Sequence, residues 1–504
     1  MTVSGEGQAG LRLDTSGGRW VLAATVLGSS LAMLTGTVVN IALPAIGAAL
    51  DAGTAGLQWV LNGYLLAVAS LMLIGGSLGD RFGRRRVFVI GCAAFAVTTL
   101  LCGLAPTIEI LIGLRVTQGV AAALLTPGSL AIIEAVFHPD DRGRAIGAWS
   151  ALGGVGAAVG PVLGGWLVDV GSWRWVFFLG IPLAIAVVVI AVRWVPESRD
   201  PDAGPLDWMG ASTIFLALAC VTWALILAPE RGVTNAAVLA PAGAGVAFVA
   251  LFVLLELRQR SPMLPLDVFE NRQFSAANAI TLVIYAALGG VFFLLVVHLQ
   301  VAVGYSALEA GAALLPVTVL MLVLSSPAGA YAQRHGARLP LSVGGALIAT
   351  GMLLMARIQP GGSYVATVLP AVGVFGLGLA ATVAPVTTAA LAAAGHRSGL
   401  ASGINNAVSR TAQLAAVAIV PWAAGLHGDR INDPAALAER FPLAMVMLAA
   451  VALSGAVLAW GTMGAGPLVR PAPARPGERP ARPTSYRHCA VDASPLRVLP
   501  ERNR

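Results

Sequence analysis

Two arginines lie where this chain is otherwise apolar. Arg115 falls about seven residues inside one long hydrophobic stretch and Arg410 about ten residues inside another. At ~1.5 Å of rise per helical residue those depths are about 10 and 15 Å. A guanidinium at mid-helix costs at least ~2.5–3.5 kcal/mol on membrane-insertion scales, so each must face water or a partner. Gln118 and Gly119 share the helix face of Arg115, and Ser402, Asn405, Asn406, Ser409, Arg410 and Gln413 follow helical spacing as one polar stripe. Such a stripe cannot face lipid cheaply. Arg115 points to a functional role; Arg410 fits either a cavity lining or a buried hydrogen-bond network. Asn40, Asn62, Tyr64 and Gln118 fit either substrate contacts or interhelical hydrogen bonds. No carboxylate lies near a midplane: Glu134 and Glu256 fall at one set of span ends, Glu109 and Glu309 at the other. The six histidines are scattered, without metal spacing or a nucleophile partner, and the four cysteines form neither a zinc pattern nor a disulfide framework. The sequence also has no G-x-x-x-x-G-K-[ST] run for phosphate. Enzyme chemistry is therefore excluded, and neither cofactor nor metal is expected.

The elements that hold these residues are membrane spans. With 57% hydrophobic and 11% charged residues over 504 positions and a mean hydropathy of +0.82, the chain is an all-α polytopic membrane protein. Stretches long enough to cross a bilayer lie at about 20–43, 57–78, 87–105, 109–133, 144–168 and 175–194, then 208–228 and 236–257, then 274–300, 310–332, 340–357, 364–393, 400–425 and 441–464, fourteen in all. All 31 basic residues are arginine. In this register 14 loop arginines lie on the side of Asp80 and 5 on the other, which by the positive-inside rule puts that side, and both termini, in the cytoplasm. The expected organisation is a cytoplasmic tail over 1–19, a six-helix bundle over 20–194, an inserted helix pair with linkers over 195–273, a second six-helix bundle over 274–464, and a disordered Pro/Arg-rich cytoplasmic tail over 465–504. The first span reads as retained, not as a cleaved signal.

Three motifs carry the mechanical expectations. Between the second and third spans runs Gly76-Ser77-Leu78-Gly79-Asp80-Arg81-Phe82-Gly83-Arg84-Arg85-Arg86. Glycine permits close backbone approach and Asp80 sits among arginines, so a charge network at helix ends is expected, beyond the topology signal. Gly76, Asp80, Arg81, Gly83, Arg84 and Arg85 form a conformational latch on this reading. A weak echo, Gly329-x-x-x-Gln333-Arg334-x-Gly336-x-Arg338, follows the second span of the second bundle, as a parallel repeat would place it. The fifth span carries Gly156-x-x-x-Gly160-Pro161-x-x-Gly164-Gly165. Its glycines allow close helix contact and its proline removes a backbone bond, which suits a hinge as well as plain packing.

Taken together, the Gly76–Arg86 loop, Arg115-Val116-Thr117-Gln118-Gly119, the fifth-span glycine-proline motif, Thr37-Val38-Val39-Asn40-Ile41-Ala42-Leu43-Pro44 and Trp173-Arg174-Trp175-Val176-Phe177 resemble the major facilitator superfamily, in its fourteen-span drug:proton antiporter branch (EmrB/QacA type). The resemblance covers roughly 20–465. It implies two six-helix bundles plus two inserted helices that alternate access to a central site, the Asp80 loop latching the cytoplasmic side, and export of drugs, antibiotics or secondary metabolites from the cell in exchange for protons. A proton-coupled importer or a non-transporting sensor on the same scaffold is the alternative. The branch has an acidic residue two positions before the threonine of the first span; here that residue is Thr35. His298 is the titratable candidate left for coupling, or else a polar anchor.

The expected partners are the lipid bilayer, protons and a small organic substrate, with no nucleic acid. Arginines and amides without a carboxylate favour neutral, zwitterionic or anionic compounds over lipophilic cations.

Overall fold

The computed structural model describes residues 10–201, 204–259, 262–394, 398–426 and 428–468. The first residues of the expected N-terminal tail, Arg397 and nearly all of the expected C-terminal tail lie outside these.

A chain with this hydropathy must satisfy its backbone internally within lipid, and it does so as helices. They are α1 (Ser16–Leu50), α2 (Thr54–Phe82), α3 (Arg84–Leu104), α4 (Ile108–Val136), α5 (Pro139–Val170), α6 (Trp175–Trp194), α7 (Trp208–Arg231), α8 (Ala236–Arg258), α9 (Arg272–Ala302), α10 (Ala307–His335), α11 (Arg338–Met355), α12 (Tyr364–Ala394), α13 (Ser398–Ala423) and α14 (Pro434–Thr462). Among the described residues, 12 of these are long and apolar enough to cross a membrane. The other two, α5 and α13, have 32 and 26 residues; α13 carries the polar stripe. Starts are capped where short polar side chains precede the apolar runs: Thr15, Thr107, Asp207, Asn235, Asn271 and Asp433 each accept from a first-turn amide. Ser306 and Glu309 form a reciprocal capping box at α10. Ahead of α1, Leu11 accepts from and donates to the α4–α5 turn, with Leu11 N–Val136 O 2.9 Å and His138 N–Leu11 O 3.1 Å.

The contact pattern repeats. In the first half α1 packs on α5, α4 and α6, α2 on α4, and α3 on α4 and α6; in the second half α9 packs on α13, α12 and α14, α10 on α12, and α11 on α12 and α14. Each pairing recurs eight helices later, which is the structural counterpart of the Asp80 motif and its echo. The helices α7 and α8 pack on each other, and α7 also touches α2 and α13. The halves meet along α2 with α13, α5 with α10 and, less extensively, α1 with α9.

Candidate functional site

Glycines decide how closely the halves approach near the Asp169 end. A Cβ on Gly165 would come within 2.6 Å of Leu308 Cα, and one on Gly311 within 2.7 Å of Pro161 C. Backbone therefore lies against backbone between α5 and α10. Asp169 accepts from Ala307 N at 3.0 Å and Leu308 N at 2.9 Å, so one carboxylate of α5 caps the start of α10. Gln58 Nε2 donates to Val417 O at 2.8 Å and Gln300 Nε2 to Ile41 O at 2.9 Å, tying α2 to α13 and α9 to α1. All four ties lie in the Asp169 half of the molecule, so this end is closed. Gly160 and Gly164 seat α5 on Thr37 and Val38 of α1; Gly156 lies in α5 but its surroundings fall outside the described residues.

Between the seams lies a polar cluster. Arg115 is 0% exposed. Its Nε donates to Val60 O at 2.9 Å, its Nη1 donates to Gln118 Oε1, and its guanidinium carbon lies 4.4 Å from the centre of the Tyr64 ring. Gln118 Nε2 donates to Thr99 Oγ1 at 2.7 Å, and Tyr64 OH to Ala32 O at 3.2 Å. Gly119 makes this possible, since a Cβ there would meet Tyr64 O at 2.5 Å. Tyr64 lies within electrostatic reach of Arg410 as well as Arg115, and Tyr285 of α9 within reach of Arg410. Arg410 Nη1 donates to Gln413 Oε1 at 3.3 Å. Buried polar atoms are left without partners here: Arg115 Nη2, Arg410 Nε, and both amide atoms of Asn62, one turn from Gln58 on the α13-facing side of α2. No carboxylate pairs with either arginine among the described residues.

Other expected residues fall elsewhere. Thr35 is buried one turn from Ala32 and donates to Leu31 O at 2.9 Å. Asn40 keeps a buried Oδ1 without a partner. Asn406 is exposed and donates to Ser402 O at 3.0 Å. The stripe on α13 divides: Asn405 turns to Asn278 and Thr281 of α9, at 3.2 and 2.8 Å, within its own half. His298 is buried far from the arginines, bonded through Nε2 to Ile358 O at 3.0 Å and stacked on Phe441 with ring centres 3.8 Å apart.

The Asp80 loop is a charge network, held within its own half. Asp80 Oδ1 accepts from Arg84 Nε at 2.8 Å and Nη2 at 2.7 Å. The segment after α6 runs back across the loop: Arg84 N donates to Ser198 O, and Asp200 N to Asp80 O, both at 2.9 Å. Glu197 accepts from Arg85 N at 3.0 Å, with Arg85 Nε 3.7 Å from its other oxygen. Gly83, at φ 111°, leaves the room that the Glu197 carboxylate occupies. Arg81 lies over the Phe82 ring at 5.8 Å, and Gly76 packs beside Pro127 of α4. The echo has the same design, with Gly336 at φ 95° and Leu468 N donating to Gln333 O at 3.2 Å. Sequence reasoning missed Glu197, Asp169, Gln58 and Tyr285. The one available signal was that Asp169 and Glu197 are acids placed directly at span ends; their partners lie over a hundred positions away.

A helical membrane protein of two repeated six-helix halves around a buried polar centre is a transporter architecture. The chain belongs to the Major Facilitator Superfamily, whose family profile matches residues 25–417. It is 34% identical over 388 residues to the multidrug resistance protein Stp of Mycobacterium tuberculosis (strain CDC 1551 / Oshkosh), covering 77% of this chain and 72% of that one. It is 33% identical over 415 residues to a probable actinorhodin transporter of Streptomyces coelicolor, covering 80% and 72%. Among solved structures, a bacterial homologue of the human lysosomal transporter Spinster superposes with a TM-score of 0.61 at 16% identity, covering 89% of this chain and 97% of that one, a likeness of fold.

Proposed function

We propose that this chain is a secondary active transporter of the fourteen-span drug:proton antiporter branch, exporting drugs, antibiotics or secondary metabolites across the plasma membrane by alternating access. The proton-motive force drives it, with both termini in the cytoplasm. The observation that carries the reading is the seam: glycine-mediated backbone contact between α5 and α10 closes one end over a polar cluster whose buried atoms lack partners. Atoms left so are costly unless a ligand or water meets them. The names of the related multidrug and antibiotic transporters favour export.

On this reading Arg115, Gln118, Tyr64, Asn62, Arg410 and Gln413 line the substrate path, with Thr35, Asn40, Asn406 and His298 as further positions for contact or coupling. Gly156, Gly160, Pro161, Gly164 and Gly165 form the sliding face of α5. Asp80 with Arg84, and Glu197 with Arg85, keep the first half rigid as it tilts. The substrate is neutral, zwitterionic or anionic. The test is accumulation of a panel of labelled antibiotics in an efflux-deficient bacterium with and without the chain. Lower accumulation of at least one compound, restored by an uncoupler, is expected; identical accumulation across the panel refutes export.

A further inference from the structure

The fourteen helices carry acidic residues only near their ends: every Asp or Glu among them lies within six residues of a terminus, and α1, α3, α6, α9, α11, α12 and α13 have none. Arg410, by contrast, is the thirteenth of 26 residues in α13. Among the described residues, the ionisable groups within electrostatic reach of Arg410 are Tyr64 of α2 and Tyr285 of α9, and those of Arg115 are Tyr64 and Cys102 of α3, with Gln118 bonded to Arg115 and Gln413 to Arg410. None of these brings a negative charge at neutral pH. The centre thus holds two cations, Arg115 over the Tyr64 ring and Arg410 within electrostatic reach of it, with Arg115 Nη2 and Arg410 Nε lacking acceptors.

We infer that this cluster takes the anionic group of an organic acid, and that the substrate's own charge, leaving an inside-negative cell, powers export without a proton carried by the protein. The inference rests on the export reading alone; in place of proton exchange it assigns the drive to the electrical component of the proton-motive force. Three arguments support it. Two uncompensated guanidinia in a low-dielectric interior attract an anion and repel a cation. A proton carrier would need a titratable group at the centre, and among the described residues the ionisable side chains there are arginine, tyrosine and a thiol. An anion moved outward across 100 mV gains a driving force equivalent to about a fifty-fold concentration ratio per charge. The same field draws the emptied cationic centre back towards the inner side.

The experiment uses the full chain in liposomes and two probes whose charges are fixed at all working pH values: the aromatic sulfonate 8-anilinonaphthalene-1-sulfonate and the cation ethidium. Potential is set by potassium and valinomycin, and pH is varied separately. With sulfonate at equal concentration on both sides, net sulfonate efflux is expected to follow a lumen-negative potential at equal pH, to stop when potassium is equal on both sides, and to ignore a pH gradient at zero potential. Arg410→Gln should raise the half-saturating sulfonate concentration about tenfold or more, as loss of a charged hydrogen bond does, with Arg410→Lys between it and the parent. Sulfonate flux that tracks the pH gradient at clamped potential overturns the inference. So does an unmoved sulfonate, or unchanged sulfonate affinity in well-folded Arg410→Gln. Ethidium exported against protons while sulfonate stays overturns it and leaves export standing, whereas failure of export itself is read in the cellular accumulation comparison.

Discussion

Gly165→Ala should shift the protein away from the conformation closed at the Asp169 end. The new methyl would sit 2.6 Å from Leu308 Cα, and the Ala307 carbonyl stands on the same side. Carbon contacts prefer 3.5–4.0 Å, so α5 and α10 must separate by about 1 Å. Both sides of the clash are backbone, which has no rotamer to yield. Overpacking of this kind costs about 1–3 kcal/mol, and because the two helices part when this end opens, the cost falls on the closed state alone. At ~1.4 kcal/mol per factor of ten, the open-to-closed ratio should rise about 5- to 150-fold. The assay is electron-electron distance measurement between spin labels at Asp51→Cys and Gly361→Cys, in the α1–α2 and α11–α12 turns of opposite halves, with the native cysteines replaced. The longer distance should gain population, and Gly311→Ala should do the same, since its Cβ meets Pro161 from the opposite side. An unchanged distance distribution in both variants would refute the reasoning, for it would mean that the seam does not part when the end opens.

Three further outcomes follow from the same geometry. Glu197→Gln keeps acceptors for the Arg85 amide but loses an ion pair that is partly exposed and worth up to ~1 kcal/mol, so the thermal-aggregation midpoint should fall in the order parent, Glu197→Gln, Glu197→Ala; equal midpoints would mean the segment after α6 does not brace the Asp80 loop. His298→Phe keeps the stack on Phe441 and loses only the bond to Ile358 O, so it should cost about 1 kcal/mol of stability and leave the pH profile of transport in place; a displaced profile would assign His298 a coupling role. Thr35→Asp puts a carboxylate one turn from Ala32, whose carbonyl holds the Tyr64 ring beneath Arg115, and should make flux depend on a pH gradient at clamped potential; no such dependence would show that position 35 cannot reach Arg115. The last variant asks whether an acid at position 35 adds proton dependence to flux through this chain.

The residues themselves determined much of this protein. Apolar runs of bilayer length can only be helices, because lipid offers the backbone no partners, so each of the fourteen stretches read from hydropathy lies on a helix. Spacing alone put Gln118 and Gly119 on the face of Arg115, and the glycine loop with its echo announced a repeat. Tertiary structure decided which polar groups meet. The stripe on α13 is one face in sequence, yet packing turns Asn405 inward to α9 and leaves Arg410 bonded to Gln413 within electrostatic reach of Tyr64 and Tyr285. His298 looked like any interfacial histidine until Phe441 and Ile358 enclosed it. Helical periodicity fixes direction around one axis, whereas partners such as Asp169 with Ala307, or Glu197 with Arg85, are set by how two axes cross, and crossing depends on side-chain volumes summed along both helices. Where a carbonyl of one half touches a glycine of the other, no local pattern in either segment records it.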